Sequence, residues 1–482
     1  MALGSSTVEE TTSPRRMALT AVVLAAVLVA VGVVNVYLAV LGLGLTLVLL
    51  LLGLSHGDVV TALTAFLIAV FTVPSSYVVN GVGTLAIPLG LCCFLGWLLT
   101  RPAPSPLQGT RLPPVVIATV IMIWVLWLSM AMVYTRVATG LEVGAAHNRF
   151  MMFVAAAGVC LLAATRIRDR ARLDTLLRRI VLGATFAAVL GFIQYWFGKD
   201  YSGLLVPPGL HRYSDQLATG IGVRSDLRRV FGTARHPIEF GVVMAAVLPI
   251  ALHYAFLART AGERLRSWAQ AVLIAAALPL AISRAATLCF IIAVLAVLPA
   301  WNWRRRINFL AVLVLALPVF RAVVPGILGT IVSLFVWAGD DPSVTGRVID
   351  YGLVWDFITE RPLLGLGFGS FHPGVYTYLD NQALLSLLET GFIGTAAVVG
   401  WLVVGICMGR GVRRHAASQR DRELGQCLVA SILTATASVF FFDTFSFVMV
   451  TMVLFLVVGC AGALWSMTVA PLGERPAAGR SD

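Results

Sequence analysis

Charge is what this chain has least of. Of its 482 residues only 12% are charged and 59% are hydrophobic, with a mean hydropathy of +0.91. A soluble domain of this length needs a polar surface that such a composition cannot supply, so the soluble classes are excluded. Acidic residues are scarcer than basic ones, 23 against 35, and a single lysine, Lys199, stands among the arginines. In a soluble protein the resulting net charge of +12 would suggest nucleic acid. Here the arginines sit in short loops between apolar runs, and the positive-inside bias of membrane proteins explains them better, so no nucleic-acid partner is expected. The seven cysteines lie mostly in apolar runs without metal-ligand spacing or a disulfide pattern, and read as small buried hydrophobes. No P-loop, dinucleotide fingerprint, zinc motif or serine-hydrolase elbow is present. A nucleotide-driven pump is thereby disfavoured, and neither cofactor nor metal is expected.

What the chain does have is a succession of apolar runs. They fall near 18–34, 37–54, 58–73, 82–99, 114–133, 149–165, 177–197, 237–257, 267–282, 285–300, 306–321, 383–409, 425–442 and 445–467. The pattern predicts an all-α, polytopic transmembrane helical bundle of about twelve to fourteen spans, since some runs fall short of the roughly 20 residues a span needs. Two polar breaks become long extracytoplasmic loops. The layout is a cytoplasmic tail over 1–16, N-terminal helices over 17–197, a first loop over 198–236, and central helices over 237–337. A second, larger loop covers 338–382, C-terminal helices cover 383–467, and a cytoplasmic disordered tail covers 468–482. Arg15 and Arg16 place the N-terminus in the cytoplasm. Alternation then puts the arginine-rich loops 166–176, 259–266, 301–306 and 410–423 on that same side, and both termini with them. The pattern implies a protein that crosses a membrane many times.

The two outward loops differ in charge. The first is basic, with Arg228, Arg229 and Arg235 just before an apolar run, against the positive-inside trend; an anionic ligand outside would explain it, and so would the tolerance of long loops for positive charge. The second is acidic, with Arg347 and Arg361 as its arginines. Within it VTGRVIDYGLVWDFITE fits an amphipathic helix lying on the membrane surface. Arg284 stands between two apolar runs at their outer end, costly unless paired or wetted, and reads as a cation reaching an outward cavity rather than as a snorkelling side chain. His236, next to Pro237, reads as structural. Asp380 and Asn381 sit where an N-cap belongs, after the glycine-rich stretch RPLLGLGFGSF, and Asp380 could equally serve as a general base. Glu389 lies inside the following apolar run, where it is expected to be neutral, hydrogen-bonded or paired with a loop arginine.

Four segments, RRVFGTARHPIEFG, ISRAAT, TGRVIDYGLVWDFITERPLLGLGFGSF and DNQALLSLLETGFIG, together resemble the O-antigen ligase and O-antigen polymerase superfamily of bacterial envelopes. The last two are similar to its "GR…P-L-G-G-G" and "H/D-N-x9-G-x-x-G" patterns, with Asn381 followed at the right spacing by Gly391 and Gly394. The resemblance implies a metal-independent glycan ligase or polymerase acting on a polyprenyl-diphosphate-linked glycan donor, with a glycan or lipid acceptor, in the bilayer and beside other polysaccharide-assembly proteins. It implies that two arginines hold the diphosphate, Arg229 (with Arg235 as the alternative) and Arg284, and that Asp380 activates or positions the acceptor. Arg235, Arg347, Arg361, Asn381 and Glu389 complete the expected substrate contacts. Ligases of the family carry histidine before the asparagine. Asp380 at that place leaves a polymerase, or a ligase for another envelope polymer, as the reading. A lipid-linked glycan flippase and a non-catalytic assembly protein are the alternatives; the former usually shows repeat symmetry, and no repeat is visible.

Overall fold

The computed structural model describes residues 59–79, 83–99, 112–207, 209–212, 221–224, 227–336, 352 and 354–469. The apolar runs near 18–34 and 37–54, both tails, and Arg347 lie outside them.

Each of the twelve remaining apolar runs coincides with a helix. They are α1 (Val59–Thr72), α2 (Ala86–Leu99), α3 (Pro114–Ala131), α4 (Gly140–Arg166), α5 (Arg170–Phe197) and α6 (Pro237–Leu257). After these come α7 (Ala261–Ala277), α8 (Arg284–Val297) and α9 (Trp303–Val323), and then the short α10 (Ile327–Val336). The last three are α11 (Gln382–His415), α12 (Gln419–Ser438) and α13 (Val448–Thr468). Among the described residues seven helices are long and apolar enough to cross a membrane. The bundle is all-α. Its strands are two- or three-residue pieces, β1 (Tyr77–Val78) with β2 (His211–Arg212) and β3 (Gly222–Arg224) with β4 (Leu227–Arg229), each pair antiparallel.

Capping chemistry sets where the helices begin. Thr139 and Glu142 form a reciprocal capping box at α4, and Asp169, Ser283, Asn302 and Asn381 cap α5, α8, α9 and α11 with their side chains. Because consecutive helices run antiparallel, all the arginine-rich connections gather at one end. There Asp174 accepts from Tyr254 Oη at 2.7 Å and pairs with Arg170 and Arg420, Arg178 pairs with Glu263 at 2.7 Å, and Arg305 with Glu423 at 3.2 Å.

The core runs along α6 and α13, whose apolar windows are each 89% buried. Phe153 on α4 meets Phe455 of α13, ring centroids 5.6 Å apart, and buried Trp401 donates to Thr119 Oγ1 at 2.9 Å. In contrast α9 has no buried residue in its apolar window and stands at the periphery. Between it and α6, α7 and α8 lies a cavity of about 690 Å³, lined almost wholly by apolar side chains such as Leu252, Val272, Leu313 and Leu317.

The amphipathic stretch in the second loop is helical over its described residues, 354–360. Of its apolar positions, Val348 and Leu353 lie outside the described residues. Val354 and Ile358 are buried against Leu366, Phe371, Leu379, Leu385 and Leu388. The protein's own loop and α11 cover these two side chains, while Trp355 beside them stays exposed.

Candidate functional site

The end of the bundle opposite the arginine-rich loops is organised around a break in α11. Gly391 has φ 61° and ψ −167°, a conformation that essentially only glycine adopts, so the helix is interrupted there. The freed backbone groups pair with the glycine-rich loop. Leu366 N donates to Leu388 O at 3.0 Å and Gly367 N to Glu389 O at 2.9 Å; Phe392 N donates to Pro362 O at 2.7 Å and Ile393 N to Leu363 O at 3.1 Å. Ser129 Oγ on α3 donates to both Leu364 O and Glu389 O. The approach is so close that a Cβ on Gly365 would lie 2.4 Å from the carbonyl carbon of Glu389. Broken helices at membrane depth persist only where every freed amide and carbonyl finds such a partner, and they commonly mark ligand sites.

The same loop is clamped from the side. Arg136 spends its donors on Glu142 Oε1 at 2.6 Å, Ser370 Oγ at 3.2 Å and Leu366 O at 3.2 Å, while Tyr376 Oη donates to Glu142 at 2.8 Å. This buried, saturated cluster is a structural fastening.

Two of the expected arginines meet at one turn. Val230 N donates to Leu280 O and Arg229 Nε to Ala281 O, both at 3.2 Å, which docks the end of β4 on residues 279–281. That turn leads through Ile282, which holds a left-handed φ of 44°, to the Ser283 cap and Arg284 at the first position of α8. A non-glycine residue in that region is strained, and strain of this kind concentrates at functional sites. Arg235 follows three residues after Gly232, in a segment held by Gln194, whose Oε1 accepts from Gly232 N at 2.8 Å and whose Nε2 donates to Gly232 O at 2.9 Å.

His236 caps α6, its Nδ1 accepting from Ile238 N at 3.2 Å. Burial, and then the neighbouring Arg229 and Arg235, push its pKa down to about 4, so the ring is neutral at pH 7. A histidine whose folded pKa is depressed contributes stability that is fully present above its unfolded value of about 6.5 and is lost as pH falls toward 4. His236→Asn keeps a capping acceptor without the titration. The wild type is therefore expected to lose up to about 3 kcal/mol relative to this variant between pH 6.5 and 4, read by thermal unfolding in detergent. Parallel curves would refute the assignment.

The acidic side is built from the α11 cap and the connection between α12 and α13. Asn381 Oδ1 accepts from Ala383 N and Leu384 N, so Asn381 is the cap and the adjacent Asp380 is left exposed. Asp380 faces Asp443, a residue the sequence reading passed over. Burial pushes Asp443 up to about 6; a Ser446 hydrogen bond and the nearby Arg149 pull it down, and Asp380 raises it. Glu389 is buried and accepts from Phe371 N at 3.1 Å, with the charge of Arg149 near it. Its cation comes from α4, not from a loop.

The connection 439–447, with the first turn of α13, joins the two sides. Gln382 N donates to Phe442 O and Phe445 N to Gln382 Oε1, fastening it to α11 beside Asp380. At its far end Phe447 packs near His236, ring centroids 6.1 Å apart, and Glu239 accepts from Met449 N while its other oxygen accepts from Arg235 N, both at 2.8 Å. The structure thus gathers Arg229, Arg235 and Arg284 in one sector and Asp380, Asn381 and Glu389 in the next. Arg361 donates to Thr135 Oγ1 at 3.2 Å, at the turn after α3. Arg149 and Asp443 are the residues sequence reasoning missed. The only signal for Asp443 was a single acid in the aromatic run FFFDTFSF. Among the described residues no group of side chains suited to a metal is present.

Fold and site together define a polytopic membrane protein with a polar, cation-bearing site at one end of its helices. Residues 269–399, about a quarter of the chain, match the family model described as O-antigen ligase. The match takes in Arg284, Arg361, Asp380, Glu389 and the Gly391 break; Arg229, Arg235, Arg149 and Asp443 lie outside it. No curated protein matches the chain.

Proposed function

We propose that this protein transfers or polymerises a glycan from a polyprenyl-diphosphate carrier at the outer face of the bacterial cytoplasmic membrane. The observation that carries this reading is a juxtaposition of opposite chemistries. The apolar cavity between α7 and α9 reaches Leu278 and Pro279 at the end of the bundle that holds the site. The next few residues are the turn that Arg229 docks on and that leads into Arg284. Asn302, Arg305 and Asn308 line its arginine-rich end, and an apolar slot whose other end comes within a few residues of Arg284 suits an amphiphile with an anionic head. Guanidinium forks match phosphate oxygens better than an ammonium does. The gathering of the arginine-rich loops at the other end supports an outward-facing site.

The chemistry follows from the charges. An acceptor hydroxyl oxygen attacks the anomeric carbon while the bond from that carbon to the diphosphate oxygen breaks. The electron pair leaves with the diphosphate, where Arg229 and Arg284 stabilise the growing charge. The hydroxyl proton passes to the Asp380–Asp443 side. Purified protein in liposomes, given lipid-linked glycan extracted from the source membranes, is expected to release polyprenyl diphosphate. Movement of intact lipid-linked glycan across the bilayer with no release would overturn the reading in favour of a flippase.

Filling the slot offers a narrower test. Val272→Trp places a large ring in the cavity. It is expected to weaken binding of geranylgeranyl diphosphate about tenfold, while binding of inorganic diphosphate stays unchanged, because only the chain competes with the ring. Equal affinity for both probes before and after substitution would remove the cavity from the donor site.

A further inference from the structure

Arg149 is a cation of the site end that the reading above leaves without a task. Its stem is pinned. A Cβ on Gly369 would lie 2.5 Å from Arg149 Cβ, so the glycine-rich loop rests directly on it. One turn further along α4, Phe153 stacks edge-on against Phe368 of that loop and Phe445 of the α12–α13 connection, at 4.9 and 5.3 Å. Arg149 therefore sits between the same two segments, on the face that carries Glu389 and Asp443.

Its head is not spent. Nη1 is buried and has no hydrogen-bond partner among the described residues, whereas Arg136 nearby bonds three side chains and a carbonyl. Leaving a buried donor open is costly, and natural proteins keep such groups where function uses them. The charged groups facing Asp443 are Arg149 on α4, Asp380 before α11 and Glu389 within it. Two acids repel its negative charge and one cation supports it.

We propose that Arg149 is a positioning residue of the acceptor side, whose buried, uncommitted guanidinium between the glycine-rich loop and the α12–α13 connection supports the Asp380 and Asp443 carboxylates as the pair that takes the proton of the acceptor hydroxyl. This rests on the glycosyl-transfer reading. The step balances as written above: the acceptor oxygen bonds the anomeric carbon, the diphosphate leaves with the electron pair, and the proton ends on the carboxylate pair. Arg149 touches neither reactant. Burial alone already lifts Asp443 toward neutrality, and the guanidinium opposes that lift.

Two measurements on the full chain test it. In the polyprenyl diphosphate release assay, Arg149→Gln is expected to move the acid limb of the pH–rate profile upward by about one unit, so turnover falls about fivefold more at pH 6 than at pH 8.5. Arg149→Lys keeps the limb of the wild type. A loss in Arg149→Gln that is equal at all pH values, as a packing defect would give, overturns the proposal. The second readout needs no substrate. Thermal unfolding of detergent-solubilised protein should show Arg149→Gln more destabilised at pH 8, where Asp443 is ionised, than at pH 5, where it is protonated. Equal shifts at the two pH values overturn the pairing. A wild type that releases no polyprenyl diphosphate sinks the functional reading, while the unfolding measurement still decides the pairing. If Arg149→Gln does not fold, Asp380→Asn, at an exposed position, must move the residual acid limb downward; an unmoved limb is equally fatal.

Discussion

Arg284→Lys is expected to lower turnover about a hundredfold or more while leaving the protein folded. The substitution keeps the charge, so long-range attraction of an anionic donor survives. What it removes is the planar fork, whose two parallel N–H groups can grip two phosphate oxygens at once; an ammonium presents a point charge on a flexible stem. The loss should be concentrated in the chemical step, because negative charge on the diphosphate is greatest as the glycosidic bond breaks, and single donors to such charge are worth about two to three orders of magnitude in rate. Stability should barely change. Arg284 is at the first position of α8, and the helix is capped by Ser283, whose Oγ accepts from Ala286 N. Strain at Ile282 fixes the turn on the backbone side, independent of the arginine head. The measurements are polyprenyl diphosphate release, affinity for geranylgeranyl diphosphate, and the unfolding midpoint. A Lys variant with full turnover sinks the diphosphate role of Arg284. A variant that loses turnover only by unfolding would turn Arg284 into a structural residue.

Much of the architecture was legible because a membrane span imposes length and apolarity on a contiguous stretch. The run read as 237–257 is α6 itself, and 114–133 holds α3. The short α10 went unseen because its ten residues are too few for a span. Site residues were legible where a local rule marks them. Arg284 interrupts apolar sequence, and Asn381 with its following apolar run signals a cap, although the cap proved to be Asn381 and not Asp380. The rest depends on partners far along the chain. Nothing local says that 362–367 will pair with 388–393, or that the glycines of the loop and Gly391 serve one contact. Arg149 carries no local mark at the start of the apolar run near 149–165. Only the folded arrangement brings its charge to bear on both Glu389 and Asp443.

The same contact yields the largest effect expected from the smallest change. Gly391→Ala should abolish turnover and lower stability by about 3 kcal/mol or more. The backbone conformation there is one that an L side chain adopts only at a cost of about 1–3 kcal/mol. A methyl group would also lie 2.4 Å from Leu363 C and 2.6 Å from Pro362 O, backbone atoms that no rotamer change can move aside. Relief requires the loop to lift, which breaks the bonds from Phe392 N to Pro362 O and from Ile393 N to Leu363 O. Each leaves a backbone amide and a carbonyl without the partner that the helix break requires. Lifting the loop also shifts Gly369 off Arg149 and Phe371 N off Glu389, so the acidic side loses its geometry with its fold. Gly400→Ala is the matched control on the same helix. No atom lies within 4 Å of a Cβ built there, and replacing glycine in a helix interior should be neutral or stabilising by about 0.5–1 kcal/mol. Thermal unfolding and polyprenyl diphosphate release for the two variants decide the matter. If Gly391→Ala behaves like Gly400→Ala, the helix break is dispensable, and the site must be organised by something other than the pairing of this loop with α11.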